Sequence, residues 1–111
     1  MTTPSDKDGK ASIWWNGKLV PYGDAKTHVL SHVMHYGTGV FEGIRAYRQA
    51  KGTAVFRLAE HVERLFHSAK CYRMPMPVTP EQVTEGCREV IRANGLTECY
   101  LRPLAFLGHG Q

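Results

Sequence analysis

The sequence predicts an α+β fold in which two helices pack on an antiparallel sheet. Three observations lead to this prediction: β-rich segments joined by short glycine turns fill the first half of the chain, two segments of helical periodicity follow, and a β-rich segment comes last. At 111 residues and 12.5 kDa, with 42% hydrophobic and 22% charged residues, the chain can form one ordinary domain with a modest core.

The first predicted element is a β-hairpin that follows a flexible tail. Residues 1–11 contain no large apolar side chain beyond the initiator methionine, so they are expected to be a flexible tail. Segments 13–15 and 18–20 are predicted to pair around Asn16 and Gly17, because this dipeptide tolerates the positive φ angles of a type I′ turn.

A longer β region is predicted between residues 27 and 57. Residues 40–47 are expected to form a strand, since the glycines at 37, 39 and 43 would be costly inside a helix. Glycine in a strand often marks a place where a ligand or another backbone approaches closely. Lys51 and Gly52 then turn the chain into a pairing strand at 53–57.

Two amphipathic helices come next. Apolar residues recur at steps of three and four between Leu58 and Tyr72, which predicts a helix that ends before the prolines at 75 and 77. Thr79, Pro80 and Gln82 are typical of the start of a second helix, as cap, first helical residue and capping-box partner. This second helix is expected to stop at Gly95. Its predicted buried stripe consists of Val83, Cys87, Val90 and Ile91.

The last predicted strand spans residues 98–108. Alternation places one side-chain set on a single face, namely Tyr100, Arg102, Leu104 and Phe106. The sequence then stops without a closing element or a polar tail, so we expect it to be a fragment of a longer chain.

Composition and charge argue against several classes of protein. Lys and Arg exceed Asp and Glu by four, and the excess is spread along the chain. No run of about 18 apolar residues and no signal-peptide pattern is present, so we expect a cytoplasmic protein with no membrane partner. Four cations between Arg45 and Arg57 alternate with aromatic residues and could contact nucleic acid, but a half-exposed hairpin ordinarily carries as many. We expect no nucleic-acid partner.

Neither the cysteines nor the histidines predict a metal site. The cysteines at 71, 87 and 99 fit neither a disulfide framework nor paired zinc ligands, so reduced thiols are expected. His28, His32 and His35 would align on a helix, but their β-branched neighbours and the glycines from 37 favour an extended segment. We expect these histidines to be structural or to line a pocket.

Two arginines are candidates for binding an anion. Tyr100 and Arg102 lie two positions apart in a predicted strand, so a hydroxyl and a guanidinium share a face, which suits a carboxylate. Arg64 lies in the first helix among acidic residues. Each arginine also has an ordinary interpretation: a surface ion pair with Glu60 for Arg64, and an exposed strand-end cation for Arg102.

One segment resembles a known family. Residues 35–47 read HYGTGVFEGIRAY and closely resemble the N-terminal motif of branched-chain amino acid aminotransferases, which are class IV (fold type IV) pyridoxal-phosphate enzymes. Further matching segments occur in the same order, so that the resemblance covers residues 13–108. They lie at 13–17, 25–26, 56–57, 60–61, 64–65, 68–70 and 100–103.

The resemblance implies a domain organisation. Family members combine a small N-terminal domain with a larger one, and residues 12–111 are similar to the small domain alone. In the family, a lysine of the larger domain forms the Schiff base with the cofactor aldehyde, and none of the lysines of this chain stands in that motif. The resemblance therefore implies that the catalytic lysine lies beyond Gln111, and that this chain alone does not transaminate.

The resemblance also implies a cofactor, substrates and an assembly. The cofactor would be pyridoxal 5′-phosphate, and Arg64 is similar to the arginine that grips its phosphate. The amino group of leucine, isoleucine or valine would pass to 2-oxoglutarate, which becomes glutamate. Tyr36 resembles a residue that reaches into the neighbouring subunit's site, so the full-length protein is expected to be a homodimer or a higher homo-oligomer.

Four residues resemble those that line the family's substrate pocket. Phe41 would pack against the branched aliphatic side chain, and Gly43 would leave room for it. Tyr100 would orient the carboxylate, and Arg102 would meet the distal carboxylate when glutamate occupies the same pocket.

Two alternatives remain open at this point. D-amino acid aminotransferases and aminodeoxychorismate lyases share the fold, although the segment 42–45 and the Tyr-x-Arg pair favour the branched-chain group. The chain could instead be a non-catalytic binding or dimerisation module.

Overall fold

A computed structural model describes residues 9–110 of the chain. These residues form seven strands and three α-helices, together with a short 3-10 helix at Tyr22–Asp24. The strands are β1 Ser12–Trp15, β2 Lys18–Pro21, β3 Gly39–Phe41, β4 Ile44–Gln49, β5 Gly52–Val55, β6 Cys99–Leu101 and β7 Leu104–Phe106. The helices are α1 His32–Tyr36, α2 Leu58–Cys71 and α3 Pro80–Ala93.

The first hairpin forms as the sequence predicts. β1 pairs antiparallel with β2, and Asn16 and Gly17 between them have φ angles of 49° and 97°. Most of the predicted tail, residues 1–8, lies outside the described residues. Of its remainder, Ala11 accepts a backbone hydrogen bond from Tyr22 at 3.0 Å, so this part of the predicted tail is tied to the turn after β2.

The remaining strands form two small antiparallel sheets, where the sequence predicts longer continuous strands. β3 pairs with β7, and β4 pairs with both β5 and β6. The predicted strand at 40–47 is interrupted after Phe41, and the predicted strand at 98–108 is interrupted after Leu101. The two interruptions meet, because the Glu42 amide donates to the Pro103 carbonyl at 3.0 Å. Proline has no N–H to continue the ladder, which is a physical reason for the change of sheet there.

His32 and His35 lie in a helix, whereas His28 precedes it, so the predicted extended conformation is wrong for residues 32–36. The first N–H groups of α1, those of His32 and Val33, donate to the carbonyls of Gly108 and Leu107 at 3.1 and 3.0 Å. Gly37 then ends the helix with a φ of 66°. Partners distant in sequence therefore stabilise this short helix of about one and a half turns. Gly37, which in the sequence favours extended structure, is its C-terminal cap.

Both long helices occur where the periodicity predicts them. Thr79 accepts from the Gln82 amide, and Gln82 accepts from the Thr79 amide, which completes the predicted capping box of α3. Gly95, the predicted stop, follows the end of α3 with a φ of 63°. One prediction of burial is wrong, since Val90 of the predicted stripe is only half-buried. Tyr72, the last residue of the predicted first helix, lies just after α2 and is exposed.

The core lies between the two long helices and the strands. Its buried side chains come from β3, β4, β6, α2, α3 and, with Met74, the loop between the two long helices, and Ile44 of β4 is fully enclosed. The predicted α+β class is confirmed. Within residues 9–110, no helix has the length and apolar character needed to cross a membrane.

Candidate active site

Three side chains meet where the two interrupted strands come together. Arg102 donates from Nη2 to the Tyr100 hydroxyl at 2.8 Å. The Arg102 guanidinium carbon lies 4.2 Å from the centre of the Phe41 ring and 5.2 Å from that of Tyr100. Phe41 and Tyr100 are half exposed, at 56% and 50%. The result is an open surface on which the guanidinium of Arg102 lies over the face of the Phe41 ring.

Gly43 lies directly against the Tyr100 ring. A Cβ atom at position 43 would be 2.2 Å from the Tyr100 hydroxyl oxygen and 3.0 Å from its Cζ. No real side chain tolerates such a contact, so only glycine permits this position of Tyr100. The structure thus brings together all four predicted pocket residues, Phe41, Gly43, Tyr100 and Arg102. The space that Gly43 provides is filled by Tyr100.

Behind this surface, Glu42 holds Arg64. Arg64 donates from Nε to Oε2 and from Nη2 to Oε1 of Glu42, both at 2.8 Å, and His61 Nδ1 lies 2.7 Å from Oε1. The Glu42 side chain is only 5% exposed, whereas that of Arg64 is 66% exposed. One carboxylate thus receives both prongs of a guanidinium fork and one imidazole.

Local structure explains how these residues meet. Alternation along the chain turns Glu42 to the same side as buried Val40, and β3 contacts α2. His61 and Arg64 are three residues apart on α2, so they share a face of that helix.

The cluster shifts the ionisation of both charged partners. Hydrogen bonding from Arg64 lowers the pKa of Glu42 from its usual value, and this effect outweighs the opposing desolvation of the carboxylate. Hydrogen bonding to Glu42 raises the pKa of Arg64. Glu42 is therefore a carboxylate, and Arg64 a cation, at neutral pH.

Sequence reasoning missed this cluster, and the ordinary interpretation of Arg64 named Glu60 as its partner. The expected pair with Glu60 is absent from the described residues, where Glu60 is 3.5 Å from Arg57 instead. No role was predicted for Glu42 or His61. Alternation places Glu42 on the same side as Val40, and a buried carboxylate needs a partner, so this position could have indicated a buried ion pair.

Tyr36 is placed elsewhere. It ends α1 with 72% of its surface exposed, and its ring centre is 4.5 Å from that of His32. Within residues 9–110, no hydrogen bond or ring contact joins it to Phe41, Tyr100 or Arg102.

The other histidines of this region have separate partners. His28 stacks on His109 at 4.5 Å, and His32 Nδ1 is hydrogen-bonded to Thr38 at 2.8 Å. In the described part of the chain, no three side chains of His, Cys, Asp or Glu are grouped to hold a metal.

Sequence comparison connects these residues to known proteins. A family model described as amino-transferase class IV matches residues 39–111. The branched-chain-amino-acid aminotransferase of Escherichia coli (strain K12) is 55% identical over 96 residues, which cover 86% of this chain and 31% of that protein. The enzyme of the same name from Pseudomonas aeruginosa is 48% identical over 104 residues, which cover 94% and 33%. The chain thus spans about a third of the length of the curated relatives it matches.

Solved structures of branched-chain amino acid aminotransferases are also similar to this chain. A T.th. branched-chain amino acid aminotransferase in complex with N-(5′-phosphopyridoxyl)-L-glutamate is similar with a TM-score of 0.87 and 57% identity, over 89% of this chain and 33% of that one. A structure of the Escherichia coli enzyme has a TM-score of 0.86 and 54% identity over the same shares.

Proposed function

Because the chain belongs to the class IV aminotransferases, we propose that it forms the small N-terminal domain of a branched-chain amino acid aminotransferase. In this proposal the protein transfers the amino group of leucine, isoleucine or valine to 2-oxoglutarate with pyridoxal 5′-phosphate. The chemistry of the described residues supports this assignment, and so does the sequence identity of about half with branched-chain enzymes.

The observation that carries the proposal is the contact between Phe41 and Arg102. The two half-reactions require one pocket to accept an apolar side chain and then a carboxylate-bearing one. The Phe41 ring offers a surface for the aliphatic chain of leucine. Arg102, 4.2 Å from that ring, offers N–H donors to the distal carboxylate of 2-oxoglutarate. The Tyr100 hydroxyl, held by Arg102, is a third polar group that can orient a substrate carboxylate.

The phosphate would be held by Arg64. A guanidinium has five N–H groups, and Glu42 receives two of those of Arg64. The other three make no hydrogen bond within residues 9–110, and the side chain is largely exposed, so this residue fits a doubly charged phosphate. When bound, pyridoxal phosphate supplies the carbonyl carbon that takes up the amino group and the ring that accommodates the electrons released at the substrate Cα.

The proton at the substrate Cα needs a basic amine close to the cofactor. Of the lysines at described positions, none makes a hydrogen bond or ion pair with Phe41, Tyr100, Arg102, Glu42 or Arg64. We therefore assign residues 12–111 to the small domain, and the catalytic lysine to a larger domain that these residues do not include.

We further propose a cytoplasmic protein that works as a homodimer or a higher homo-oligomer. Around α1, a patch of large apolar side chains is more than half exposed, which is typical of a surface that contacts another chain or domain. The patch consists of Val29, Leu30, Met34 and Tyr36.

The experiment that tests the function is single-turnover amino transfer by the complete polypeptide that the gene encodes. We expect transfer from L-leucine to 2-oxoglutarate and none from D-alanine. Arg102→Met should slow the half-reaction with glutamate by about tenfold or more, and change that with leucine far less, because only glutamate has a distal carboxylate. The matched control is Arg88→Met on α3. Absence of transfer from leucine, or preference for D-alanine, would exclude the branched-chain assignment.

A further inference from the structure

The bidentate contact between Glu42 and Arg64 restricts how the arginine can bind an anion. Glu42 occupies the edge of the guanidinium formed by Nε and Nη2. The opposite edge, formed by Nη1 and the second N–H of Nη2, is left for another acceptor. An arginine side chain has several rotatable bonds, so an exposed guanidinium without such a partner samples many orientations.

We propose that Glu42 is a positioning residue for the cofactor phosphate, which fixes Arg64 so that the free edge of its guanidinium faces the phosphate. His61 supports the arrangement by holding Oε1 of the same carboxylate at 2.7 Å. This inference rests on the proposed function, in which Arg64 binds the phosphate.

Simple electrostatics predicts that Glu42 weakens phosphate binding, whereas the proposal predicts that it strengthens it. The direction in which phosphate affinity changes on substitution of Glu42 therefore tests the proposal. A carboxylate beside Arg64 partly cancels the charge that attracts a phosphate dianion. If charge alone mattered, replacing Glu42 by neutral glutamine would strengthen phosphate binding. If positioning dominates, the same replacement weakens it, because an amide cannot accept both prongs of the fork.

Glu42 also connects the phosphate arginine to the substrate-binding surface. Its backbone lies between Phe41 and Gly43, and its amide donates to the carbonyl of Pro103, the residue after Arg102. A single residue thus fixes Arg64 through its side chain. Through its backbone it joins the end of β3, which carries Phe41, to the segment between β6 and β7 that contains Arg102. The distance between the phosphate site and the substrate site is set by this connection.

The test compares two ligands that differ only in the phosphate. Dissociation constants of pyridoxal 5′-phosphate and of pyridoxal are measured by absorbance titration for the complete polypeptide and for Glu42→Gln, Glu42→Asp and Arg64→Ala. We expect Glu42→Gln to weaken binding of pyridoxal phosphate by about tenfold or more, which is the loss typical when the hydrogen-bond partner of a metal ligand is removed. Binding of pyridoxal should change little. A loss of fold would weaken the binding of both ligands alike, so the ratio of the two dissociation constants reports the contribution of the phosphate group alone.

The matched control is Glu85→Gln. Glu85 also bridges two arginines, Arg88 and Arg92, at 3.4 and 3.0 Å, but on the exposed surface of α3. We expect Glu85→Gln to leave both dissociation constants unchanged. The double variant Glu42→Gln/Arg64→Ala should bind no more weakly than Arg64→Ala alone, because Glu42 acts through Arg64.

Failure of the inference and failure of the proposed function give different results. If the unmodified protein binds pyridoxal phosphate no better than pyridoxal, the proposed function fails, and the inference fails with it. If Arg64→Ala loses the preference while Glu42→Gln keeps or increases it, Arg64 binds the phosphate without help from Glu42. In that case only the positioning role is overturned.

Discussion

Gly43 and Tyr100 are fitted to each other so closely that the first has no room for a side chain. The Tyr100 hydroxyl oxygen lies 2.2 Å from where a Cβ of residue 43 would be, and Arg102 donates a hydrogen bond to the same oxygen. The absence of a side chain at position 43 therefore determines where the hydroxyl of Tyr100 and the guanidinium of Arg102 lie.

Gly43→Ala should abolish most of the amino transfer while leaving the protein folded. Tyr100 is half exposed and can swing away from a new methyl group, so we expect a loss of unfolding free energy of no more than about 1 kcal/mol. The displaced hydroxyl could no longer orient the carboxylate of the substrate, and misplacement by about 1 Å can cost up to about 100-fold in rate. The measurement is kcat/KM for L-leucine together with urea denaturation.

The control for this substitution is Gly23→Ala, where a Cβ would have nothing within 4 Å. It should leave kcat/KM unchanged. Full activity in Gly43→Ala would show that the position of Tyr100 is unimportant for catalysis.

The sequence predicted best those elements whose signals are local. The capping box of α3 lies within four residues, Thr79 to Gln82, and the predicted start of that helix is correct. The turn at Asn16 and Gly17 is equally local. Tyr100 and Arg102 could be paired from their spacing of two residues, and they are in contact although Arg102 lies just beyond the end of β6.

Features that depend on distant partners could not be predicted in this way. α1 owes its first hydrogen bonds to the carbonyls of Leu107 and Gly108, more than 70 residues further along. Arg64 has an acidic neighbour at helical spacing in Glu60, yet it pairs with Glu42, which lies 22 residues away. A buried carboxylate competes better for the guanidinium than an exposed one, because water screens the exposed pair.

Gly86→Ala should destabilise the protein although alanine is the better helix former. Gly86 lies in α3 against the hairpin, and a Cβ there would be 2.4 Å from Cε2 of Trp14 and 2.7 Å from its Cδ2. The indole is packed against the core and cannot move without disturbing it. We expect a loss of about 1–3 kcal/mol in unfolding free energy, measured by urea denaturation.

A Trp14→Ala background provides the matched control for Gly86→Ala. With the indole removed, the same substitution should raise the unfolding free energy by up to about 1 kcal/mol, because only helix propensity remains. An increase in stability in the presence of Trp14 would contradict the close packing of α3 on β1.

The three thiols should react at different rates in the folded protein. Burial raises the pKa of Cys87 to about 11, so about one thousandth of it is thiolate at pH 8, and burial also raises the pKa of Cys99. Cys71 is exposed. Mass spectrometry after limited iodoacetamide treatment should find Cys71 modified first and Cys87 last, and all three should react alike in urea. Rapid modification of Cys87 in the folded protein would mean that α3 opens frequently.

The stability that Glu42 contributes should be lost in acid. Its pKa is lower in the folded protein than its usual value of 4.5, chiefly because Arg64 bonds to the carboxylate. Folding therefore favours the charged form, so the contribution is fully present above the unfolded pKa and disappears as the pH falls through the folded one. Unfolding free energies measured between pH 7 and pH 3 should show the native protein losing its advantage over Glu42→Gln as the pH falls. An advantage that is the same at pH 3 and pH 7 would mean that packing of the side chain, and not its charge, holds Arg64 in place.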